Sequence, residues 1–430
     1  MREMKYSGVE WMEDIPATWD MIRFKDKYQS IKEIAGESST EYERLALTLN
    51  GVIKRPKDDS EGLQPKAFDG YQILRENDFV FKMIDLQNIS TSRVGLSPYT
   101  GLVSPAYIRF RSKNKNQFNK YVYFYLMSMY YNCVFNSLGG DGVRSALNAS
   151  DMGMLMIPSP SEHEQRLIVE AIERKIEKVD ALIANQEAQI EKLKAYKQSL
   201  ITEVVTKGLD PNVPMKDSGV EWIGNIAANH SVWKLKFMLS EPMMYGANES
   251  GESKSEHSAR YIRITDITAD NSLKDDENNL YLANDKAEPY ILSDKDILFA
   301  RSGGTVGKSF MYREEYGRSA FAGYLIKAKC NQKKLIPEYL LYYTQSSLYE
   351  IWKNMIFIQA TIQNIGANKY SNMEMVVMPI AEQKEMVDYL DEKCSKVDSL
   401  IAIKNAKIEK LSQYKKSLIY EYVTGKKEVI

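Results

Sequence analysis

Three histidines and three cysteines in 430 residues leave few groups for the chemistry those side chains usually carry. Cys133, Cys330 and Cys394 lie far apart without metal-ligand spacing, which argues against a disulfide framework or a zinc site and fits a reducing compartment. His163, His230 and His257 form no H-E-x-x-H pair and adjoin no serine or cysteine nucleophile context. There is no Asn/Asp-Pro-Pro-aromatic amino-methylating motif, and no glycine loop placed after a strand to hold a methyl donor. The most apolar run, Tyr121 to Phe135, is too short to span a bilayer, and Met-Arg-Glu-Met-Lys-Tyr at the start carries no apolar signal segment. A soluble cytoplasmic protein is expected. The formal net charge of -1 supplies no global attraction to nucleic acid.

What is present is a repeat. With 44% hydrophobic residues the chain can fill two or three domain cores, and self-comparison shows how they are arranged. "KYSGVEWMEDI" at Lys5 to Ile15 returns as "KDSGVEWIGNI" at Lys216 to Ile226. The 43-residue text from Glu164 to Thr206 returns from Glu382 to Thr424, including "KVDALI" as "KVDSLI" and "IEKLKAYKQSLI" as "IEKLSQYKKSLI". Each copy therefore reads as a short opening motif, a variable globular part and a long helix. In the first helix Ile176, Val179, Ile183, Ile190, Leu193, Leu200 and Val204 fall on alternating steps of three and four, with Gln186 and Lys197 as polar interruptions. Val397, Ile401, Ile408, Leu411 and Leu418 occupy the matching places in the second. Helices of this length, polar on most faces, are poor monomers, so each is the natural partner of the other. Gly208 and Pro211 mark the end of the first helix.

The globular parts diverge, although "YQILRENDFVFK" at Tyr71 to Lys82 resembles "YILSDKDILFAR" at Tyr290 to Arg301, each a turn followed by a buried strand. Repeated frames around unlike inserts suggest one task performed on two targets. Charge is segregated within them. No acidic residue lies between Asp85 and Asp141, where Arg93, Arg109, Arg111, Lys113, Lys115 and Lys120 are spaced among Tyr99, Tyr107, Tyr121, Tyr123 and Tyr125. From Tyr316 to Pro337 acids are again absent while Arg318, Lys327, Lys329, Lys333 and Lys334 are present. Two such windows at corresponding places predict local basic faces suited to phosphate contacts.

The stretch Arg301-Ser-Gly-Gly-Thr-Val-Gly-Lys-Ser309 looks like a phosphate-binding loop but has Ser302 where that motif needs its first glycine. The residues after it read as strands rather than a helix, so a glycine-rich connection between strands is expected. Gly303, Gly304 and Gly307 would let backbone approach a duplex, Arg301 and Lys308 could reach phosphate or guanine edges, and Ser302 and Thr305 offer small hydroxyls. In the first copy Asn88 to Tyr107, with Arg93, Tyr99, Ser104, Tyr107 and the nearby Arg109, has a similar composition. Arg144 in "GGDGVRSALN" and Gln359, Thr361, Gln363 and Asn364 in "QATIQNIGAN" complete the candidate DNA contacts, although these types also make ordinary turns. Carboxylates such as Asp180 and Asp398 belong to the helix pattern and read as solvated or ion-paired. Catalytic machinery is not apparent; the chain reads as a recognition protein.

The duplicated "SGVEW" openings, the helix entrances "PSPSEHEQ" (Pro158 to Gln165) and "MPIAEQ" (Met378 to Gln383), and the paired helix texts give a chain that resembles, over essentially its whole length, the specificity subunit of type I restriction-modification enzymes. The resemblance implies an α+β fold of two globular target recognition domains joined by two long antiparallel coiled-coil helices with an internal pseudo-twofold repeat. It places the first recognition domain at 1–160, its spacer helix at 161–207, a linker at 208–216, the second recognition domain at 217–378 and its helix at 379–430. Each recognition domain would read half of a bipartite site in double-stranded DNA. Ile176, Val179, Ile183, Ile190, Leu193, Val397, Ile401, Ile408 and Leu411 would hold the helix pair that docks two copies of the methyltransferase subunit, with restriction/translocase subunits completing the complex. No cofactor is expected on this chain: S-adenosylmethionine, for adenine methylation, would belong to the methyltransferase partner, and ATP and Mg2+ to the restriction partner. The second copy departs in having Ala227 to His230 where the first has Pro16 to Trp19, and Cys394 and Lys404 where the first has Ile176 and Gln186. These changes predict a weaker second seam.

Overall fold

A computed structural model describes residues 2–59, 65, 67–86, 93–115, 117–138, 146–268, 272–274, 278–358 and 363–429. The chain divides into two compact units, Met1–Gln186 with Asn405–Ile430, and Glu187–Lys404. The first long helix, Glu162–Lys207, has 46 residues and the second, Ile380–Val423, has 44, so each contributes one half to each unit. At the standard rise the first is roughly 70 Å long. Among the described residues no helix is long and apolar enough to cross a membrane.

Unit 1 begins with an antiparallel hairpin, Met4–Tyr6 with Asp14–Pro16. Strand Asp20–Arg23 then pairs with Met156–Ser159, which leads into the first long helix. Between these lie two four-stranded sheets. One runs in the order Gly51–Arg55, Arg44–Thr48, Gly101–Val103, Gln72–Leu74, with a parallel contact at Leu102 and Arg44. The other runs Tyr28–Ser30, Ile108–Ser112, Phe79–Phe81, Val94–Leu96, all antiparallel. Its largest core gathers Phe24, Phe79, Phe81 and Phe110 with Tyr121 and Tyr125 of helix Lys120–Tyr131, Ile168 and Ile172 of the first long helix, and Ile419 and Val423 of the second.

Unit 2 follows the same path. Hairpin Met215–Asp217 with Asn225–Ala227 precedes strand Ser231–Lys234, paired with Glu374–Val377 before the second long helix. Its sheets run Tyr281–Ala283, Ser258–Ile262, Ser319–Phe321, again with one parallel pairing, and Met244–Tyr245, Leu325–Ala328, Ile297–Ala300, Ser309–Met311. The inserts that diverge in sequence thus share a topology. One device fixes the strand in both. Asp78 accepts from Arg75 N–H at 3.1 Å across a turn with Asn77 at φ 63°, and Asp296 accepts from Ser293 N–H at 2.9 Å with Lys295 at φ 66°. Asp78 therefore corresponds to Asp296, and the ungapped comparison of Tyr71 to Lys82 with Tyr290 to Arg301 is out of register by one residue.

The helix entrances are also matched. Trp19 Nε1 donates to Glu164 Oε2 at 3.0 Å, and Glu164 pairs with Arg2 at 2.6 Å. In unit 2 the buried His230 takes the place of Trp19, its Nε2 lying 2.7 Å from Glu382 Oε1, while Asn229 donates to Glu382 Oε2 at 2.9 Å. At the far ends, Gly208 (φ 78°) and Gly425 (φ 70°) end the helices in the left-handed conformation that a side chain would resist.

The seam positions face inward. Val179, Ile190 and Val397 are buried, and Ile176, Ile183, Leu193, Ile401, Ile408 and Leu411 are half-buried. Within unit 1 Lys415 meets Asp180, and within unit 2 Lys197 meets Asp398, so both halves pair antiparallel. The expected weak points of the second helix are accommodated: Cys394 is 3% exposed within the unit 2 core, and the Lys404 ammonium donates to Gln189.

Candidate nucleic-acid interface

In unit 2 the glycine-rich stretch connects the antiparallel strands Ile297–Ala300 and Ser309–Met311. It makes one short helical turn, Gly303–Thr305, and then returns to strand, so it lacks the helix N-terminus a phosphate loop requires. Gly303 and Gly307 have φ of 78° and 86°, and a Cβ at Gly307 would strike the Lys353 stem.

Four chain segments converge here. Arg301 N–H donates to Tyr324 C=O at 3.0 Å, and Arg301 C=O accepts from Ile365 N–H at 2.8 Å. Ser302 bridges to Asn364. The Tyr245 hydroxyl accepts from Ala367 N–H at 2.9 Å, and the Arg301 guanidinium stands 4.9 Å from the Tyr245 ring centre. Tyr245 and Tyr324 are 41% and 62% exposed, and Gln363, Asn364, Gly303 and Gly304 are exposed beside them. Lys308 is half-exposed, and its N–H donates to Thr305 C=O. Arg301 Nε and Thr305 Oγ1 are buried without a hydrogen-bond partner among the described residues. A cavity of about 540 Å³, lined by Asn248, Tyr261, Arg263, Ile264, Thr265 and Tyr324, adjoins the loop. Aromatic faces, amides and an arginine on glycine-permitted backbone are the groups that base edges take.

The fold thus brings together Arg301, Ser302, Gly304, Thr305, Lys308, Gln363 and Asn364. Gln359 and Thr361 lie outside the described residues, as does Arg144. Tyr245, Tyr324 and Asn248 join the face without having been marked by sequence. The adjoining glycines are the signal: a Cβ at Gly246 would collide with the Phe321 and Ala322 carbonyls, and one at Gly323 with Asn248 Oδ1.

Unit 1 presents a different surface at the corresponding place. Met83 C=O accepts from Leu147 N–H at 3.0 Å as Arg301 does from Ile365, and Ile84 bridges to Ala146 as Ser302 does to Asn364. Lys82 N–H donates to Arg93 C=O as Ala300 does to Lys308. The Arg93 side chain is 2% exposed and donates to Asp85 C=O at 2.8 Å; burial pulls its pKa down. Arg109 is enclosed as well. Its guanidinium meets Asp78 at 2.7 Å, Arg111 meets the same carboxylate at 2.7 Å, and Glu33 joins from Arg75 at 2.6 Å. Burial lowers the Arg109 pKa, and the Asp78 carboxylate opposes that shift.

The acid-free windows accordingly do not survive as unbroken basic faces. Asp78, Glu33, Glu173, Glu288 and Glu241 arrive from elsewhere in the chain to meet Arg109, Arg111, Lys120, Arg318 and Lys327. Tyr99 is exposed with the Lys54 ammonium 5.2 Å from its ring centre. Ser104 is held in a turn, its carbonyl accepting from Gln72 Nε2 at 3.3 Å. Tyr107 packs beside the Leu45 cluster, and burial raises its phenol pKa.

A family model described as the type I restriction modification DNA specificity domain matches residues 31–192 and 247–413. The chain belongs to that family. Each match spans one insert and most of the helix that follows it, so this specificity-domain chain carries the module twice. It is 19% identical over 309 residues to the specificity subunit of the type I restriction enzyme StySPI of Salmonella potsdam, covering 71% of this chain and 65% of that protein. It is 22% identical over 306 residues to the EcoKI specificity subunit of Escherichia coli strain K12, covering 69% and 63%. The matches therefore span just under two thirds of the length of these two relatives. A chain solved in work on complex assembly and conformational transition of the type I R-M system has the same fold, with a TM-score of 0.64 at 14% identity over 95% of this chain and 98% of that one.

Proposed function

We propose that this chain is the DNA-recognition subunit of a type I restriction-modification complex, each unit reading one half of a bipartite site in double-stranded DNA. What carries the reading is the combination of one repeated frame with two unlike surfaces at its corresponding loops: Arg301, Ser302 and Asn364 in unit 2 against Met83, Ile84 and Ala146 in unit 1. A frame duplicated for its own sake would have no reason to exchange an arginine and two polar groups for three apolar ones at one structural position. The long helices act as the spacer between half-sites, as dimer geometry does in simpler repressors.

The helices also dock the methyltransferase, in two copies. Leu182 and Tyr196 of the first helix are 46% and 55% exposed, and their repeat counterparts Leu400 and Tyr414 are 47% and 48% exposed. An apolar pair kept on the outside in both copies suits the same partner bound twice. Base modification, on adenine, belongs to that partner with its S-adenosylmethionine; ATP and Mg2+ act on the restriction/translocase subunits. This chain supplies recognition and no catalytic group.

The test is a base-resolution methylation map of cells carrying this gene with its methyltransferase partner, against cells lacking it. The expected outcome is a gene-dependent motif of two short blocks at a fixed gap. Absence of any motif, with both proteins expressed and associated, would overturn the proposal.

A further inference from the structure

Unit 2 contains five arginines, Arg260, Arg263, Arg301, Arg313 and Arg318. Four are engaged by carboxylate, carbonyl or amide oxygens: Arg260 by Lys274 C=O and Asn279, Arg263 by Asp266 at 2.8 Å, Arg313 by Glu338 at 3.5 Å and Arg318 by Glu288 at 2.5 Å. Arg301 has no oxygen acceptor for its guanidinium among the described residues, and its Nε is buried with its hydrogen-bonding capacity unused. It is nevertheless held. Its backbone is fixed on both sides by Tyr324 and Ile365, and its guanidinium lies over a tyrosine ring that is itself fixed: Tyr245 sits in the strand paired with Ile326, and its hydroxyl is tied to Ala367 N–H.

Such a group is preorganised for an external acceptor. A planar, uncancelled guanidinium stacked on an aromatic face keeps its fork of donors in one plane and loses little freedom on binding. The acceptor pair in a duplex that matches this fork is guanine O6 with N7 in the major groove. A phosphate would also accept, but the neighbours are base-reading types: exposed Gln363 and Asn364, and the exposed ring of Tyr324.

We propose that Arg301 reads a guanine in the half-site recognised by unit 2, and that Tyr245 is the positioning residue that holds it for that contact. The inference rests on the DNA-recognition reading above and goes beyond it by naming the base and the residue pair. It requires that one block of the wild-type motif contain a G·C pair whose recognition depends on both side chains.

The experiment maps methylation motifs in cells expressing the methyltransferase partner with the wild-type chain, Arg301→Lys, Tyr245→Leu or Tyr245→Phe. Lysine keeps the charge and loses the fork; leucine removes the stacking face; phenylalanine keeps it. The expected result is that Arg301→Lys and Tyr245→Leu both lose discrimination at the same single G·C pair, roughly ten- to a hundredfold, the range of one bidentate base contact. The other block stays intact, and Tyr245→Phe, which keeps the stacking face but loses the hydroxyl tie to Ala367 N–H, loses less discrimination at that pair than Tyr245→Leu. A wild-type motif that no variant alters, or one weakened evenly at all positions, would overturn the inference while leaving the DNA-recognition reading standing; even weakening would assign Arg301 to phosphate. Failure of the wild-type chain to direct any motif would overturn both.

Discussion

Lys197 donates to both carboxylate oxygens of Asp398, at 2.8 and 2.7 Å, and its repeat counterpart Lys415 does the same to Asp180, at 2.7 and 2.9 Å. Both pairs use one lysine and one aspartate from the same two places in the repeated helix text, exchanged between copies. They mark the same antiparallel register in each unit, the register in which the apolar stripes of the two helices meet.

These bridges should add little to stability. Lys197 and Asp398 side chains are 22% and 56% exposed, and solvent screens such a pair to about 0–1 kcal/mol. Lys197→Ala should therefore move the urea midpoint only slightly. Ile190→Ala, at a seam position 6% exposed, should cost about 2–5 kcal/mol through lost burial and the cavity left behind. Equal effects of the two substitutions would mean that the bridges, not the seam, hold the helices.

Asp78 and Arg301 make a second contrast. Asp78 is buried beneath Arg109 and Arg111, so Asp78→Ala leaves the enclosed Arg109 charge with only Glu33, 3.9 Å away, and should cost about 3–5 kcal/mol. Arg301→Ala removes a half-exposed side chain with no oxygen acceptor among the described residues and should change stability by no more than about 0.5–1 kcal/mol. Urea unfolding of both variants checks this. A large loss for Arg301→Ala would make it a structural residue.

That contrast also marks where sequence stops being legible. The repeat, the helix seam and the glycine-rich connection were readable because each is carried by neighbouring residues or by verbatim text. Arg109 misleads because its partner Asp78 lies 31 residues upstream, outside the acid-free stretch between Asp85 and Asp141. Tyr245 carried no mark because its role arises only when its strand pairs with Leu325–Ala328 and brings its ring under Arg301. The common topology of the two inserts was hidden for a related reason: what they share is a turn aspartate and strand order, while the side chains filling the cores differ.

Asp296 gives a pH-dependent test. Burial raises its pKa above 3.8, opposed by the backbone N–H of Ser293 and the nearby Lys327 and Lys329, and its Oδ1 has no hydrogen-bond partner among the described residues. With the folded value above the unfolded one, the native state binds the extra proton between the two. Asp296 therefore destabilises unit 2 progressively as pH rises from about 4 through its folded pKa. Asp296→Asn can keep the bond from Ser293 N–H and should lack that decline, making the variant at least as stable as wild type at pH 7. Urea midpoints measured from pH 4 to 7 for both proteins decide it; parallel curves would place the titration elsewhere.

The spacer proposal makes the most direct demand on the helices. Four residues inserted into the first long helix add about 6 Å of rise. Successive base pairs of a duplex are about 3.4 Å apart along each strand, so the unread gap between the two blocks should lengthen by one or two base pairs. The blocks themselves should be unchanged, because their reading groups lie on strands and loops that the insertion does not touch. Methylation mapping with the insertion variant reads both quantities at once. A longer gap with the same blocks establishes the helix as the ruler, whereas an unchanged gap would mean that something other than helix length sets the spacing.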